Sequence, residues 1–233
     1  MKIQIYQIDE SSDFEGLKFH SLSMLEKIGQ DIDSEIYKNV YEGEVDCVTV
    51  EDVFAKFNLD PPKDFSGHSL SVSDIVAVLG DENEYYFCDT VGFEKVDFEP
   101  EKTIESKITV VMCEPDKLAY VTQIDNKLEG LQKAVGGLVE TYYPFPEEVC
   151  IVCNDEGKIN GMQLNRSIVR EGKIIEIMAG PFFICDCSAM HFKSLSKEQQ
   201  EKYMQMFKYP ELFFRAGNEI QAIPFNPDKQ RYR

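Results

Sequence analysis

Four cysteines and one histidine form the most chemically suggestive group in the sequence. Cys150 and Cys153 stand three apart, Cys185 and Cys187 stand two apart, and His191 follows four residues later. Thiolates and imidazole nitrogens are preferred ligands of Zn²⁺, so the group resembles a zinc site. The first pair, however, lies in an apolar segment that predicts a strand, where residues three apart point to opposite faces. The pattern therefore favours cysteines packed in the core and predicts no metal or other cofactor, with a zinc-stabilised domain as the weaker alternative.

A second candidate is the histidine in the segment Gly67-His68-Ser69-Leu70-Ser71, which has part of the spacing of a hydrolase nucleophile elbow. That motif needs a strand before its first glycine, and a second glycine where Ser71 stands. Neither requirement is met. None of the three histidines adjoins a convincing nucleophile in the sequence. The sequence therefore predicts that the protein is not an enzyme, and His68 stays a candidate acid or base for a small ligand.

The third candidate is the polar segment at residues 154–166, NDEGKINGMQLNR, which interrupts otherwise apolar β structure. It carries Asp155, Asn165 and Arg166, and loops of this kind can present hydrogen-bonding groups to a ligand or partner. The competing interpretation is that Asn165 satisfies backbone groups and Arg166 makes an ion pair. The alternative to a pure interaction protein is thus a small-molecule binding or enzymatic module that uses this loop.

Charge is the strongest compositional signal. The chain has 24 Lys and Arg against 42 Asp and Glu, a net charge of −18. Residues 1–100 hold 23 acidic and 7 basic residues (net −16), and residues 101–233 hold 19 and 17 (net −2). Nucleic acids and anionic membranes attract clustered Lys and Arg, so we expect neither as a direct partner. The candidates for electrostatic contact with a partner protein are the acids that flank one predicted strand: Glu82, Glu84, Asp89 and Glu94.

The sequence shows no readable signal for export or for insertion into a membrane. Its apolar runs fall short of the ~20 residues that a membrane-spanning helix requires, and the first residues do not form the apolar core of a signal peptide. The seven cysteines are odd in number and widely spread, which favours free thiols. These features predict a cytoplasmic protein.

Apolar periodicity divides the chain into elements on either side of a polar seam around Pro100. Before the seam, the patterns predict strands at 2–8, 36–45, 75–79 and 85–89 and helices at 21–28 and 50–57. After it, they predict strands at 107–113, 118–123, 138–143, 148–153, 158–162, 173–178 and 182–185 and a helix at 128–135 capped by Asp125 or Asn126.

The C-terminal residues have helical signals. A capping box at Ser196 predicts a helix to Phe207, and Pro210 predicts a shorter helix that Gly217 closes. We therefore predict an α+β protein with two small, mostly antiparallel sheet domains at 1–98 and 107–184, each with one or two helices. A helical C-terminal extension at 185–233 follows.

Several of these segments resemble known families. Tyr6-Gln7-Ile8, GHSLSVSDIVAV (67–78) and YYFCDTVGFEKV (85–96) resemble the YodL-like domain. LEGLQKAVGG (128–137), the segment at 154–166 and IMAGPFFIC (177–185) resemble the domain of unknown function 3846 family. Neither family has an accepted catalytic residue. The resemblance implies a bacterial, cytoplasmic accessory protein of mobile elements, where such domains are joined to antirestriction and DNA-processing modules.

These inferences lead to one leading hypothesis. The chain is a non-enzymatic interaction protein whose acidic first domain binds a still unidentified protein partner. A sharper form is DNA mimicry, in which an antirestriction-type negative surface occupies the basic groove of a restriction enzyme or repressor. The competing interpretation is that the charge only keeps the domain soluble. The sequence leaves the partner and the oligomeric state open.

Overall fold

The computed structural model describes residues 1–217 and 219–230. It divides into two compact units, the first at Met1–Ile104 and the second beginning at Glu105. Both are built on mostly antiparallel sheets, so the α+β prediction is confirmed. Within the described residues, no helix combines the length and apolar character needed to cross a membrane.

The first unit is a five-stranded antiparallel sheet with the strand order β2-β1-β3-β4-β5. Its strands are β1 (Lys2–Ile8), β2 (Tyr37–Glu44), β3 (Ile75–Leu79), β4 (Glu84–Cys88) and β5 (Phe93–Val96), and its helices are α1 (Leu22–Ile28) and α2 (Val50–Leu59). Alternation along β1 buries Ile3 and Ile5 against α2 and turns Tyr6 and Ile8 toward α1. Both faces of the sheet are therefore covered.

The second unit is a five-stranded sheet with the order β7-β6-β12-β9-β8, together with two hairpins. The sheet strands are β6 (Lys107–Cys113), β7 (Tyr120–Asp125), β8 (Val139–Tyr142), β9 (Val149–Asn154) and β12 (Phe182–Asp186). The hairpins are β10 (Leu164–Arg170) with β11 (Lys173–Ala179), and β13 (Glu211–Ala216) with β14 (Glu219–Pro224). The helices are α3 (Leu128–Val135), α4 (Lys197–Met206) and α5 (Pro227–Gln230).

The sheet of the second unit has a core on each face. On one face, Leu131 and Val135 of α3 pack against Val110 and Phe183. On the other face, Ile168 of β10 and Tyr203 of α4 belong to a second apolar cluster. The helix predicted from the capping box at Ser196 is thus α4, and it belongs to the core of this unit.

Three local predictions were wrong. The helix expected at 210–217 is strand β13, because Leu212 pairs with Ile223 across a turn that contains Gly217. The strand expected at 158–162 is a turn, in which Gly161 has a φ of +67°. Helix α3 begins after Lys127, without a side-chain cap, because Asp125 still belongs to β7.

Three further strands, β5, β10 and β14, were not predicted. Strand β5 is short and partly charged, and β10 begins with polar residues that resemble a loop.

Candidate functional site

A polar cluster of Gln7, His68 and Asp74 lies where β1 ends and β3 begins, with Gln7 and Asp74 buried and His68 half-buried. The side-chain amide of Gln7 donates through Nε2 to Asp74 Oδ2 (2.9 Å) and to the carbonyl oxygen of His68 (2.9 Å). Its Oε1 accepts the backbone N–H of His68 at 3.0 Å. Both donors and the acceptor of the amide are therefore in use, which fixes its orientation and holds the His68 main chain against β1.

Asp74 is the buried carboxyl group of this cluster, with only 1% of its surface exposed. Burial raises the pKa of Asp74 to about 6, although hydrogen bonds from the Ser71 backbone and the Gln7 amide oppose the shift. The Ser71 N–H lies 2.9 Å from Oδ2. The group therefore changes its charge close to neutral pH.

The His68 ring is held at Nδ1. This atom lies 2.8 Å from the carbonyl oxygen of Ser69 and 3.1 Å from Gln7 Nε2. Nε2 is buried and has no hydrogen-bond partner among the described residues. Leaving such an atom unsatisfied costs about 1–3 kcal/mol, so Nε2 requires an explanation.

A cleft of about 440 Å³ lies beside this histidine. Two lysines line it, and each is paired with an acid: Lys38 Nζ lies 2.7 Å from Asp9 Oδ1, and Lys18 Nζ lies 2.6 Å from Glu10 Oε1. The hydrogen bond from Lys18 lowers the pKa of Glu10. The cleft thus combines two ammonium groups, two carboxylates and one imidazole ring.

The position before His68 has room only for glycine. A Cβ atom at this position would lie 2.2 Å from Gln7 Oε1. The close approach of the 67–68 backbone to β1 therefore requires glycine, and it allows the hydrogen bonds that Gln7 makes to His68. The glycine and histidine of this segment serve one packing arrangement, not a nucleophile elbow.

Asn165 and Arg166 lie on strand β10 and not in a loop, so that part of the prediction was wrong. Arg166 is 1% exposed and donates to three main-chain carbonyl oxygens, those of Phe207 (2.8 Å), Glu114 (3.0 Å) and Lys117 (2.7 Å). It also bonds Oδ1 of Asn165. Carbonyl oxygens thus take the place of the carboxylate expected in an ion pair.

Asn165 behaves as the competing interpretation predicted. Its amide donates to the carbonyl oxygens of Cys113 (3.0 Å) and Gly180 (2.8 Å), so it satisfies backbone groups in the core. Asp155, by contrast, is exposed just after β9, in a cleft of about 130 Å³ that Lys158 also lines. The structure therefore does not join Asp155 to the buried pair in one site.

The structure places the candidate zinc ligands on different faces of the sheet of the second unit and in the loop before α4. Cys150 and Cys185 face each other on β9 and β12 with their Sγ atoms 3.7 Å apart, whereas Cys153 packs in the apolar cluster on the opposite face. Cys187 lies next to the first pair, and its pKa is raised to about 12 by burial and by the neighbouring Cys150. Among the described residues, no group of three or more Cys, His, Asp or Glu is arranged to hold a metal ion. His191 lies in the loop before α4.

The four acidic candidates of the first unit do not share one face. Glu84 pairs with Lys95 at 2.6 Å, whereas Glu94 lies across from Phe87, whose side chain belongs to the opposite core. Glu82 and Asp89 lie in turns at opposite ends of β4. A concentrated patch made of these four residues is therefore absent.

Sequence reasoning found His68 but missed Gln7, Asp74, Lys18 and Lys38. One signal was available for Gln7, since it occupies the position that continues the alternation of Ile3 and Ile5. A polar residue in an apolar series needs a buried partner. No local signal identified that partner as Asp74, which is 67 residues away.

Comparison with known families assigns each unit separately. The model of the YodL-like domain matches residues 2–98, and the model described as Domain of unknown function (DUF3846) matches residues 108–208. Both resemblances seen in the sequence, and their order, are confirmed. No curated protein and no solved structure matches the chain. The His68 cleft lies in the first match and the Arg166 cluster in the second.

Proposed function

We propose that this chain, which joins a YodL-like domain to a domain of unknown function 3846, is a non-enzymatic interaction protein whose YodL-like unit binds a basic surface of a partner protein. The supporting observation is where the acidic side chains lie. Of the 23 acidic residues at positions 1–100, only Asp74 is buried. Because like charges on one surface oppose folding, this density of exposed acids carries a stability cost that binding of a basic partner would offset.

The region around α2 offers such a partner more than charge. Asp46, Glu51 and Asp60 are exposed near its ends, and Val48 and Leu59 are 84% and 85% exposed beside them. Apolar side chains supply most of the binding energy in protein interfaces, and charges mainly set the association rate and the choice of partner. A basic partner surface with apolar side chains at its centre suits this combination.

The finer form of the proposal concerns the kind of partner. Duplex DNA carries about one negative charge per 1.7 Å of its axis, so proteins that bind DNA present concentrated positive charge. The net charge of −16 within the first 100 residues favours such a partner, and the proposed role is that of an antirestriction-type accessory protein in the bacterial cytoplasm. Duplex DNA should then compete with the chain for the partner.

The test begins with capture of the partner from a bacterium that carries the corresponding mobile element, followed by measurement of both rate constants at several salt concentrations. The variant is the full chain with Asp46→Asn, Glu51→Gln and Asp60→Asn. The matched control neutralises three exposed acids of the second unit, with Glu129→Gln, Glu140→Gln and Glu201→Gln.

We expect the first variant to lower the association rate several-fold with little change in dissociation, and to weaken the salt dependence. Equal effects of the two variants, or association that does not respond to salt, would contradict the proposal. If duplex DNA does not reduce binding, the partner is not a DNA-binding protein of the proposed kind. The general proposal, that the YodL-like unit binds a basic partner surface, would still stand.

A further inference from the structure

Strand β7 forms one edge of the sheet of the second unit, and its outer side is open to a further strand. Its neighbour in the strand order is β6 alone. Asn126, just after β7, donates to the carbonyl oxygen of Ser106 (2.9 Å), and such inward hydrogen bonds alternate along an antiparallel pair. The backbone groups of Val121 and Gln123 therefore point away from β6. In agreement, Thr109, which lies across from Gln123, makes its backbone hydrogen bonds to the loop before α4.

This edge lacks the features that usually prevent strand addition. Edge strands are commonly protected by charged side chains or by being short. Among the other edges of the two five-stranded sheets, β2 carries three charged residues, β5 has two in only four residues, and β8 is four residues long. Strand β7 has six residues, and its one charged residue, Asp125, is the last. Most of β7 is therefore able to pair with another strand.

A groove lies on each face of this edge. Side chains alternate along β7, so Ile124 faces α3 and Val121 faces α4. The groove on the α3 side measures about 410 Å³ and has a mainly polar lining that includes Thr122. The groove on the α4 side measures about 580 Å³, and Leu118 and Met204 line it beside Val121. An added strand would thus place polar side chains in the first groove and apolar side chains in the second.

The charge at this edge is positive, unlike that of the whole chain. Four exposed lysines border the two grooves: Lys107, Lys133, Lys197 and Lys208. None of them makes an ion pair with another described residue. Of the three acids that line the grooves, Glu114 is already paired with Lys117 (2.8 Å), which leaves Asp125 and Glu201. The edge therefore attracts negative charge, although the chain as a whole has a net charge of −18.

We propose that β7 binds an extended acidic segment of a partner protein, which joins the sheet as a sixth strand. Backbone hydrogen bonds to Val121 and Gln123 hold the segment, and its side chains alternate between the two grooves. The acidic side chains contact Lys107 and Lys133, and the apolar ones cover Val121 and Met204. The site therefore selects a segment in which acidic and apolar residues alternate. This inference concerns the second unit and does not depend on the function proposed for the first.

The experiment is a titration of the isotope-labelled full chain, followed by the NMR signals of its backbone amides. The probe is a short peptide of alternating valine and glutamate with blocked ends. One control peptide has lysine in place of glutamate, and a second has the same composition with the glutamates grouped together. We expect saturable shifts at Val121 and Gln123 with the alternating glutamate peptide, and affinity about tenfold or more weaker for either control.

Two variants test the assignment to this edge, with affinity measured by calorimetry. Gln123→Pro removes an outward N–H that takes no part in the pairing with β6, so it blocks strand addition and keeps the sheet. Its matched control is Thr141→Pro, at an outward position of the edge strand β8. Lys133→Met removes one of the bordering charges, and its control is Lys173→Met, an exposed lysine that lines neither groove.

We expect Gln123→Pro to weaken binding about tenfold and Lys133→Met about threefold, while both controls leave it unchanged. Circular dichroism shows whether each variant is folded, and the lysine variants decide if Gln123→Pro is not. The proposal is overturned if the alternating glutamate peptide gives no saturable shift, if the lysine peptide binds as tightly, or if neither variant weakens binding more than its control does.

Discussion

The two units each bury a polar cluster, and the two clusters differ in what they leave unsatisfied. In the second unit, Arg166 donates from Nε, Nη1 and Nη2 to carbonyl oxygens, and Asn165 takes a further bond. In the first unit, the Gln7 amide bonds Asp74 Oδ2 and the His68 backbone, but His68 keeps Nε2 without a partner among the described residues. The two units thus satisfy the polar groups of their clusters to different degrees.

The two clusters hold different parts of the fold together. Arg166 ties β10 to the 114–117 turn and to the residue after α4, through the carbonyl oxygens of Glu114, Lys117 and Phe207. Four of its five N–H groups are used and the residue is 1% exposed, which is typical of a structural arginine. In the first unit, Gln7 joins Asp74 and the His68 backbone to β1, and the ring atom without a partner among the described residues, His68 Nε2, is itself buried. In both units, groups far away in the sequence supply the hydrogen bonds that the buried polar side chains need.

Replacing Arg166 with alanine should have the largest effect. Removing a buried charged donor takes a hydrogen bond from each of three main-chain carbonyl oxygens, and we expect a loss of about 3–5 kcal/mol in the free energy of unfolding. The melting temperature, followed by circular dichroism, should fall by about 10 °C or more. Arg170→Ala is the matched control, because Arg170 is exposed and bonds one carbonyl, that of Pro144. An unchanged melting temperature in Arg166→Ala would mean that the cluster is not structural.

Asp74→Asn should change the free energy of unfolding by less than Arg166→Ala does, and it should stabilise the chain at neutral pH instead of destabilising it. The folded-state pKa of about 6 lies above the ordinary value of 3.8, so the folded state holds this proton more tightly than the unfolded state does. Stability should therefore fall as pH rises from about 4 to 6, by up to about 3 kcal/mol, and remain low above that range. Asparagine removes the ionisation and keeps an oxygen that accepts from Ser71 and Gln7.

We thus expect Asp74→Asn to match the natural chain near pH 4 and to exceed its stability at pH 7, as measured by urea unfolding at several pH values. Asp60→Asn, at an exposed position, serves as the control and should keep the pH dependence of the natural chain. If the Asp74→Asn variant also keeps the pH dependence of the natural chain, the buried carboxyl group of Asp74 does not cause that dependence.

Gly67→Ala should be the mildest of the three changes. The added methyl would lie 2.2 Å from Gln7 Oε1, and overpacking of this kind costs about 1–3 kcal/mol. Gly80→Ala is the control, because the nearest atom there is 3.6 Å away. If the contact with Gln7 is the cause, the cost of Gly67→Ala should shrink in a Gln7→Ala background, and denaturant unfolding of the four variants measures that coupling.

Local patterns in the sequence determined most of the elements. Strands β1 and β6 were predicted with the bounds the structure shows, because apolar periodicity depends only on neighbouring residues. The charge difference between the two units and their family resemblances were also readable from the sequence. The C-terminal hairpin was not, since Glu211–Ala216 becomes a strand only by pairing with Glu219–Pro224.

The sites were decided by tertiary structure. Arg166 resembled a loop residue because its neighbours are polar, yet carbonyl groups 41 to 52 residues away in the sequence allow it to be buried. Gln7 and Asp74 meet across 67 residues. Whether a polar side chain faces water or finds a partner in the core depends on which distant backbone groups the fold brings beside it. That pairing follows from the packing of the sheets, and no local pattern encodes it.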